Sequence, residues 1–472
     1  MGRSIKKNFI YQSAYQIVLI VVPLVTTPYL SRVLGPDQIG VFSVTQAITN
    51  YFVMFAMLGM SSYGVRAISM CRDDRQKRSR TFCSAFAAQL ITSSIALVVY
   101  LGYTAFITEG GLLVCLLWGL WVLSCLFDIT WLFFGVEEFK MPTIRATVTR
   151  LVGLVVILLF VKNPDDLWIY VLSISGMFLA NQLLLWPFVK RYVSFVKVTG
   201  KEVLSHILPS ARLLIPAIAI SLYTTMDKIL VGGVSGMVQA GFFEYSEKLA
   251  RMPTTVITAM GTVMLPRMAA MISAGKGEES VRLLGRSIDV MLAMAMLFCF
   301  GIIGIANDFS IIFLGSDFAS CAPIMAILAI SIPIISITNV LGRQYLVPHQ
   351  QDNQFVISVC CGAAVNLILC IFLLPPLGAL GAGISVLAAE STVLLVQWVF
   401  VRGKLPLLKW VIKSLPYAGM GLVMMLVLFF VSNELNSIMA PSAIMLAIEV
   451  VVGLAVYGVL FLGYRAFKRA KA

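Results

Sequence analysis

The sequence predicts an all-α integral membrane protein of about fourteen transmembrane helices, with the N- and C-termini in the cytoplasm. Hydrophobic residues make up 60% of the 472 residues and charged residues 12%, and the mean hydropathy is +0.94. A soluble domain carries about 25% charged residues. Long apolar runs recur along the whole chain, and the basic residues lie between them. Lipid is therefore the solvent that this composition fits.

The predicted spans follow from the length of the apolar runs. About 20 apolar residues cross the hydrocarbon core of a bilayer, which is roughly 30 Å thick. The fifth and thirteenth runs are the shortest of the set. The predicted spans are residues 9–30, 39–60, 81–103, 111–134, 144–161, 168–188, 213–232, 241–264, 287–306, 322–341, 355–374, 381–401, 415–431 and 443–464.

The distribution of basic residues predicts the orientation. With the N-terminus inside, all but five of the 35 Lys and Arg residues fall in inward segments. A missed or extra helix would invert every later loop and mix the two sides, so this asymmetry supports the span count. The net charge of +13 then reflects membrane topology, and we expect no nucleic-acid partner. The five exceptions are Arg32, Lys162, Lys228, Lys248 and Arg251.

Cysteine and histidine usage argues against a metal site or a cofactor. The nine cysteines are scattered without a CxxC pair, and the only histidines are His206 and His349. The sequence also contains no Walker A, HExxH or GxSxG motif. We therefore expect a protein that is not an enzyme, has no cofactor and takes any transport energy from gradients or from the potential of its substrate.

Charged residues inside the predicted spans are the main functional signal, because burying a charge at the bilayer centre costs about 2.5–3.5 kcal/mol. Glu244, Glu247, Lys248 and Arg251 follow the spacing i, i+3, i+4, i+7 and share one face of the eighth span. They form two i,i+4 pairs, Glu244 with Lys248 and Glu247 with Arg251. Counted from Gly241, Arg251 is about 15 Å deep, near mid-bilayer. The stripe is either self-neutralising or the polar wall of a wet cavity.

Four further charges lie within or near other spans. Asp227 and Lys228, at the outer end of the seventh span, are adjacent and should point in different directions. Lys228 either extends to the interface or faces the cavity. Asp128 and Glu390 are single acids in the fourth and twelfth spans, and each is either a proton-coupling carboxylate or a helix-packing residue.

Polar residues near the ends of spans complete the candidate substrate contacts. Tyr11, Gln12 and Gln16 form a polar stripe on the first span, with substrate contact and helix packing equally open. The basic residues at inner ends either anchor the protein by the positive-inside rule or form an entry funnel for an anionic headgroup. The basic candidates outside the charged spans are Arg66, Arg145 and Arg150 at inner ends, and Arg32 after the first span.

The longest inward connection and a weak internal repeat divide the chain. Leu-Ser-Arg-Val-Leu-Gly at 30–35 precedes Gly-Val-Phe at 40–42, and Met-Asp-Lys-Ile-Leu-Val-Gly at 226–232 precedes Gly-Phe-Phe at 241–243. Transporters are often built from such repeats. The predicted division is a six-helix region at 1–189, a cytoplasmic linker at 190–212, a second six-helix region at 213–403 and two additional helices at 404–472.

Several motifs resemble those of the Wzx-type polysaccharide flippases (O-antigen and capsule) of the MOP superfamily, relatives of the MATE exporters. They include Pro-Tyr-Leu-Ser-Arg-Val-Leu-Gly-Pro at 28–36, Tyr-Gly-Val-Arg-Ala at 63–67, Asp-Lys-Ile-Leu at 227–230 and Pro-Leu-Gly-Ala-Leu-Gly at 376–381. The resemblance covers most of the chain and is least distinctive in the last two spans. Peptidoglycan-precursor flippases of the superfamily carry charges in the first span, which this chain lacks before Arg32.

The resemblance implies two six-helix lobes in a MATE-like arrangement around a central cavity, plus two C-terminal helices. It implies an undecaprenyl-diphosphate-linked oligosaccharide as cargo, moved from the inner to the outer leaflet of the bacterial cytoplasmic membrane by alternating access. On this basis Arg251, Lys248 and Lys228 would line a cationic cavity, with Arg251 on the diphosphate. Expected partners are this substrate, membrane lipids, synthesis enzymes such as a polysaccharide polymerase, and H+ or Na+ as a coupling ion.

Three other functions stay open from the sequence. A MATE-type multidrug or cation antiporter would need an acidic cavity, whereas the eighth-span stripe is balanced. A membrane-embedded glycan polymerase or glycosyltransferase would need a sizeable outer loop, and residues 307–320 are among the longest outward segments. A scaffold that organises synthesis enzymes without transport is the third alternative.

Overall fold

The computed structural model describes residues 2–106 and 111–470, except for the side chains of 2–17, 19–20, 215–217, 219–220, 222–223, 262–263 and 469–470. These described residues are helical with short connections and contain no strand. The helices are α1 (Gly2–Met57), α2 (Met60–Ser69), α3 (Arg75–Thr104), α4 (Leu112–Ser124), α5 (Thr130–Gly135), α6 (Lys140–Phe160), α7 (Leu167–Leu183), α8 (Gly200–Thr224), α9 (Met226–Ser235), α10 (Met237–Arg251), α11 (Thr254–Ser273), α12 (Gly277–Phe309), α13 (Cys321–Asn339), α14 (Asp352–Leu377), α15 (Ala379–Val401), α16 (Leu407–Ile438) and α17 (Ala443–Ala470).

Helix α1 contains two of the predicted spans and is kinked between them. Its 56 residues would extend about 84 Å at 1.5 Å per residue, more than one bilayer crossing requires. At Gly35 the backbone leaves the helical region, with φ 72° and ψ 172°. A positive φ is readily adopted by glycine because it has no Cβ, and the next residue, Pro36, cannot donate a backbone hydrogen bond. The connection predicted between the two spans is therefore a kink at Gly35.

The predicted eighth span is not one continuous helix. Helix α10 ends at Arg251, and α11 begins at Thr254 after Met252 and Pro253. Proline lacks the N–H that would continue the helical hydrogen bonds. Hydrogen bonds between residues three apart replace them here, and Met252 N donates to the Leu249 carbonyl at 3.3 Å. Arg251 is therefore the last residue of a helix, so the predicted unbroken span is wrong, while the depth of Arg251 in the membrane stays a prediction.

The protein is a multi-pass membrane protein. Within the part of the chain that the structure describes, twelve helical stretches are long and apolar enough to cross a membrane. Residues 21–69 form a single stretch although they include the second half of the first predicted span, from residue 21 on, and all of the second. The seventh predicted span is divided between α8 and α9 and does not appear as a stretch of its own. The count of fourteen and the cytoplasmic position of both ends stay predictions.

The chain divides into two compact units, Met1–Ser221 and Leu222–Ala472. In the first unit, α4 packs against α7 and α1 against α3, over a core that includes Phe82, Trp131 and Phe133. In the second, α14 packs against α15 and α12 against α13 and α16. The boundary between the units falls within α8, so the predicted domain limits stay predictions.

Small residues allow the C-terminal helices to approach α12 closely. Gly421 on α16 packs against the ring of Phe300, and a Cβ on Gly304 would lie 3.0 Å from Leu428. Small residues are typical of helix contacts within membranes, where close packing replaces the hydrophobic effect. Helices α16 and α17 are thereby held against α12 of the second unit.

Candidate functional site

The candidate functional site is a network of buried charges in the second unit, and Lys228 lies at its centre. Lys228 is in the first turn of α9, and its Nζ is 2.6 Å from Glu244 Oε2 and 3.5 Å from Glu247 Oε2. The exposed fractions of the three side chains are 20%, 11% and 8%, respectively. Lys228 is thus paired with two carboxylates on α10 and does not extend to an interface.

Arg251 continues the network from α10 to α15. Its Nε lies 3.0 Å from Glu247 Oε1, and its Nη2 lies 4.0 Å from Glu390 Oε1. Arg251 occupies the C-terminus of α10, where the partial negative charge of the helix end favours a cation. The guanidinium side chain is 27% exposed, the largest fraction in the network.

The network is a chain of alternating charge. It runs from Glu244 through Lys228, Glu247 and Arg251 to Glu390 and joins α9, α10 and α15. Lys248, the third cation of this region, lies with its Nζ 5.5 Å from the centre of the Tyr245 ring. With Lys248 and the neighbouring acid Asp227 included, which lies within electrostatic range of Glu247 and Arg251, the region holds three cations and four carboxyl groups. The sequence spacing predicted the pair of Glu247 with Arg251, but not the connections to α9 and α15.

Asp227 faces another part of the second unit. Its side chain is 1% exposed and accepts a hydrogen bond from Asn366 Nδ2 at 3.3 Å and one from Cys370 Sγ at 3.5 Å. Both partners lie on α14. The adjacent residues Asp227 and Lys228 therefore have different partners, as their positions on a helix predicted. Asn366 and Cys370 were not predicted, since nothing in the sequence links them to Asp227.

Arg66 lies at a cavity in the first unit. The cavity, of about 410 Å³, is lined by Tyr63 and Arg66 of α2 and by Arg212 of α8. Tyr63 Oη lies 2.6 Å from His206 Nδ1, and Ser84 Oγ lies 2.8 Å from His206 Nε2. His206 is outside the predicted spans, and burial lowers its pKa. The neutral ring that results is suited to the hydrogen bonds it makes.

Arg145 connects three helices of the first unit. Its Nη2 donates to Thr130 Oγ1 at 3.1 Å and its Nη1 to Gln182 Oε1 at 3.4 Å, which joins α6 to α5 and α7. Arg150 lies further along α6 and is half-buried. The contacts of Arg145 lie within the first unit, and the charge network lies in the second.

The remaining predicted site residues have local roles or lie outside the described side chains. Asp128 Oδ1 accepts a hydrogen bond from Thr130 N at 2.8 Å, at the start of α5. Arg32 is exposed, and its Nη1 donates to the Pro28 carbonyl at 2.7 Å, one turn earlier in α1. The structure does not describe the side chains of Tyr11, Gln12 and Gln16.

Comparison by sequence finds a polysaccharide biosynthesis family and relatives that are named as transporters. A family model described as Polysaccharide biosynthesis protein matches residues 5–272. The chain is 25% identical over 415 residues to a "Putative O-antigen transporter" of Escherichia coli (strain K12), covering 84% of this chain and 97% of the relative. It is 22% identical over 323 residues to the "Succinoglycan biosynthesis transport protein ExoT" of Rhizobium meliloti (strain 1021), covering 66% and 63%, respectively.

Solved structures support the same fold. The lipid II flippase MurJ in an inward closed conformation aligns with a TM-score of 0.75 at 14% identity, over 96% of this chain and 99% of that one. An inward-facing multidrug resistance MATE family transporter of the MOP superfamily aligns with a TM-score of 0.64 at 14% identity, over 82% and 94%. The predicted resemblance is thereby confirmed, and the chain has the fold of the MOP superfamily. Because the family model spans more than half of the 472 residues, this chain belongs to the polysaccharide biosynthesis protein family.

Proposed function

We propose that this protein is a flippase for an undecaprenyl-diphosphate-linked oligosaccharide. It moves this cargo from the inner to the outer leaflet of the bacterial cytoplasmic membrane for surface polysaccharide synthesis. The protein is not an enzyme: its relatives are named as transporters, and its structural neighbours are transporters. The observation that carries the proposal is the buried network of Lys228, Arg251 and their carboxylates in a chain with O-antigen transporter relatives.

The chemistry of the cargo explains why charged residues are needed. Removing water from a sugar hydroxyl without a replacement costs several kcal/mol, and an unpaired diphosphate costs far more. Arg251 offers a planar fork that donates parallel hydrogen bonds to phosphate oxygens. Its side chain is 27% exposed, more than those of Lys228 and Glu247. Arg251 is therefore the proposed contact to the diphosphate, and Lys228 and Lys248 supply further positive charge.

The carboxylates hold the cations before the substrate arrives. Buried cations without partners would be unstable, and Glu244 and Glu247 remove that cost for Lys228. The contact of Arg251 with Glu390, at 4.0 Å, is the longest in the network. A diphosphate that replaced Glu390 at Arg251 would exchange one anion for another. The displaced Glu390 would keep a buried charge without a partner unless it took up a proton.

Glu390 is the stronger of the two proposed proton-coupling residues. A proton on Glu390 would weaken its attraction for Arg251 and release the guanidinium to the substrate. Asp128, the other candidate, accepts a backbone hydrogen bond at the start of α5. The membrane potential is a second source of energy, since moving two negative charges outward is favourable by about 4.6 kcal/mol per 100 mV. Na+ is the alternative coupling ion.

The other proposed contacts lie along the path of the substrate. Arg66, with Arg212 at the cavity in the first unit, would attract the anionic headgroup on entry. Alternating access would expose the charge network to one side of the membrane at a time. Membrane lipids and a polysaccharide polymerase or other synthesis enzymes are the further proposed partners. The remaining proposed substrate contacts are Asp227, Arg32, Arg145, Arg150, Tyr11, Gln12 and Gln16.

The cations of the network distinguish this function from export of organic cations. A MATE-type cation antiporter would need a surplus of carboxylates facing its substrate. Here Lys228 and Arg251 are ion-paired with Glu244, Glu247 and Glu390, Lys248 lies beside Tyr245, and Asp227 is the fourth acid of the region. The likeness to a multidrug transporter is at 14% identity and concerns the fold alone. The cations among these acids, and above all the partly exposed Arg251, therefore favour a cargo with an anionic group.

The proposal is tested in cells whose surface glycan depends on this protein. Arg251→Ala and Arg251→Lys should each reduce surface glycan and cause lipid-linked oligosaccharide to accumulate in the inner leaflet. Arg282→Ala is the matched control, because Arg282 is 77% exposed and pairs only loosely with Glu278. Normal export by both Arg251 variants at normal protein levels would remove Arg251 from the site.

A reconstituted assay separates transport from an organising role. Purified protein in vesicles should move a fluorescent lipid-linked oligosaccharide to the leaflet where an added glycosidase can cleave it. A protein that only organises synthesis enzymes would leave the cleaved fraction at the level of empty vesicles. An increase in polymerised glycan in the same vesicles would instead indicate an enzyme.

A further inference from the structure

Two buried carboxyl groups meet in a part of the molecule that the proposed transport site does not use. Asp308 lies near the end of α12 and is 4% exposed, and Glu449 lies on α17 and is 0% exposed. Both are polar residues within otherwise apolar helix contacts. Glu449 is about 9 Å along α17 from its first residue, at 1.5 Å per residue. The pair therefore joins the last helix of the chain to α12.

Asp308 is held by two donors on α16. The hydroxyl of Ser432 donates to Asp308 Oδ2, and Asn436 Nδ2 donates to Asp308 Oδ1 at 3.3 Å. Each oxygen of the carboxyl group therefore has a hydrogen-bond donor. This environment suits an ionised carboxylate.

Glu449 has no comparable donors. Its carboxyl group interacts with the Asp308 carboxyl group and with Ser432. Ser432 has a single hydroxyl hydrogen, which is already directed at Asp308. Both carboxyl oxygens of Glu449 are buried, and neither receives a hydrogen bond from the residues that the structure describes. Two carboxyl groups thus lie together with donors sufficient for only one of them.

No cation compensates the pair from the described parts of the helices packed around it. The basic residues of α12, α16 and α17 are roughly 24 Å or more away along their helices, at 1.5 Å per residue. The π-helical turn Ser310–Leu314 that follows Asp308 has no charged residue. Of the other acids nearby in sequence, Glu434 and Asp317 are exposed, and Asp289 pairs with Tyr417 further along α12. The distant basic residues are Arg282 and Arg286 on α12 with Lys276 just before it, Lys409 and Lys413 on α16, and Arg465 and Lys468 on α17.

We propose that Asp308 and Glu449 form a proton-binding site in which the two carboxyl groups share one proton. Two carboxylates in contact away from water cannot both ionise, and a buried charge without a partner is costly. A proton on Glu449 turns one of its oxygens into a donor, which can donate a hydrogen bond to Asp308. The site then carries one negative charge, stabilised by Ser432, Asn436 and the Glu449 hydroxyl.

The predicted topology indicates the side of the membrane with which this site exchanges its proton, and the proton affects how α17 packs against α12. In the predicted topology the segment 307–320 is outward, so the proton exchanges with the outer side of the membrane. Loss of the proton would leave two negative charges in contact between α12 and α17 and weaken the attachment of α17. This inference does not depend on the nature of the transported cargo.

Infrared difference spectroscopy of the full-length protein in lipid nanodiscs tests the site directly. A protonated carboxyl group has a C=O stretch distinct from that of a carboxylate. Wild-type protein near neutral pH should show one protonated carboxyl band that Glu449→Gln loses, because glutamine has the same shape without the acid. Glu434→Gln, at an exposed acid of α16, is the control and should retain the band. Identical carboxyl bands in wild type and Glu449→Gln would overturn the proposal.

The pH dependence of unfolding provides a second measurement. The native pair keeps a proton that the unfolded chain releases above about pH 4 to 5, so wild-type stability should fall as pH rises above that range. Glu449→Gln should reduce the slope of the unfolding free energy against pH by up to the equivalent of one bound proton. Asp308→Asn serves as the second neutral variant if Glu449→Gln does not fold. Equal slopes in wild type and variant would contradict a shared proton. Stabilisation by added Na+ that the variant loses would overturn the proton as occupant.

Discussion

Lys228 on α9 and Glu244 on α10 form the shortest ion pair of the buried network, with 2.6 Å between Nζ and Oε2. The pair joins two helices that are separated in sequence by the turn at Gly236, where φ is 92°. It therefore fixes how the first turn of α9 lies against α10. Because Lys228 also contacts Glu247, one ammonium group organises both carboxylates of α10.

Removing Lys228 should strongly destabilise the protein. Lys228→Met leaves Glu244 and Glu247 buried without this cation, and breaking a buried pair costs about 3–5 kcal/mol. The loss is measured as a lower midpoint of thermal unfolding in detergent or nanodiscs. Lys228→Met combined with Glu244→Gln should recover part of it, because one of the stranded carboxylates is then neutral.

The matched control for Lys228 is an exposed pair. Lys276 and Glu279 lie 3.6 Å apart with side chains 57% and 59% exposed, so Lys276→Met should change stability by less than about 0.5 kcal/mol. A Lys228→Met protein as stable as Lys276→Met would show that the network contributes nothing to the fold.

Glu390→Gln should change transport more than stability. The Glu390 contact with Arg251 is the longest of the network, at 4.0 Å, so neutralising it removes little attraction. If Glu390 couples a proton, export by the variant should no longer respond to a pH gradient across vesicles. Export that keeps the full response of wild type would exclude Glu390 as the coupling residue.

Asp128, the other candidate for proton coupling, should behave differently from Glu390. Its Oδ1 accepts the Thr130 N–H at 2.8 Å, an Asx-type hydrogen bond from the residue before the N-cap Ile129 to the first residue of α5. Asp128→Asn should keep this role and leave export unchanged, whereas Asp128→Ala should cost about 1 kcal/mol of stability. An Asp128→Asn protein that folds normally but loses the response to a pH gradient would instead assign coupling to Asp128.

The sequence predicted contacts within a helix better than contacts between helices. The i,i+4 spacing placed Glu247 beside Arg251, and the structure has them 3.0 Å apart. The same spacing suggested Lys248 for Glu244, whereas the structure pairs Glu244 with Lys228, sixteen residues earlier. Local spacing fixes which residues share a face. It contains no information on which face of another helix comes opposite.

The acids that sequence reasoning missed show the same limit. Glu449 is a single acid in an apolar run, which is the signal that also singled out Glu390. Asp308 lies just after a predicted span, at a position where an acidic residue is expected to belong to a solvated loop. Only the packing of α17 against α12 brings the two together, and no periodicity in the sequence encodes that contact.

Acid should weaken a surface contact of the first unit. Arg80 donates to the Glu202 carboxylate at 2.5 Å, and this contact and the Thr199 N–H lower the pKa of Glu202 to about 2. A lowered pKa stabilises the fold above the ordinary pKa of about 4.3, and this stabilisation is lost as pH falls towards 2. Glu202→Gln should therefore be slightly less stable than wild type at neutral pH and equal to it near pH 2, as measured by thermal unfolding. A difference that does not change with pH would contradict this.

Gly64 should tolerate no side chain. An added Cβ would lie 2.5 Å from Trp131 Cδ2, against a side chain that is itself 1% exposed. Gly64→Ala should cost about 1–3 kcal/mol by overpacking. Gly102→Ala is the control, because nothing lies within 4 Å of its Cβ position and alanine favours a helix. Equal unfolding midpoints for the two variants would show that Trp131 can move aside.

Thiol labelling separates a wet network from a dry one. In a variant without the nine native cysteines, of which Cys360 is exposed, a cysteine at Arg251 should react with a polar thiol reagent, since this side chain is 27% exposed. A cysteine at Glu247, whose side chain is 8% exposed, should react more slowly in the resting protein and faster when substrate binds and the carboxylates separate from their cations. A cysteine at Phe243, which is 0% exposed on the same helix, is the unreactive control. If the cysteine at Arg251 labels no faster than the one at Phe243 with or without substrate, water does not reach the network. A passage for a diphosphate headgroup requires that water does.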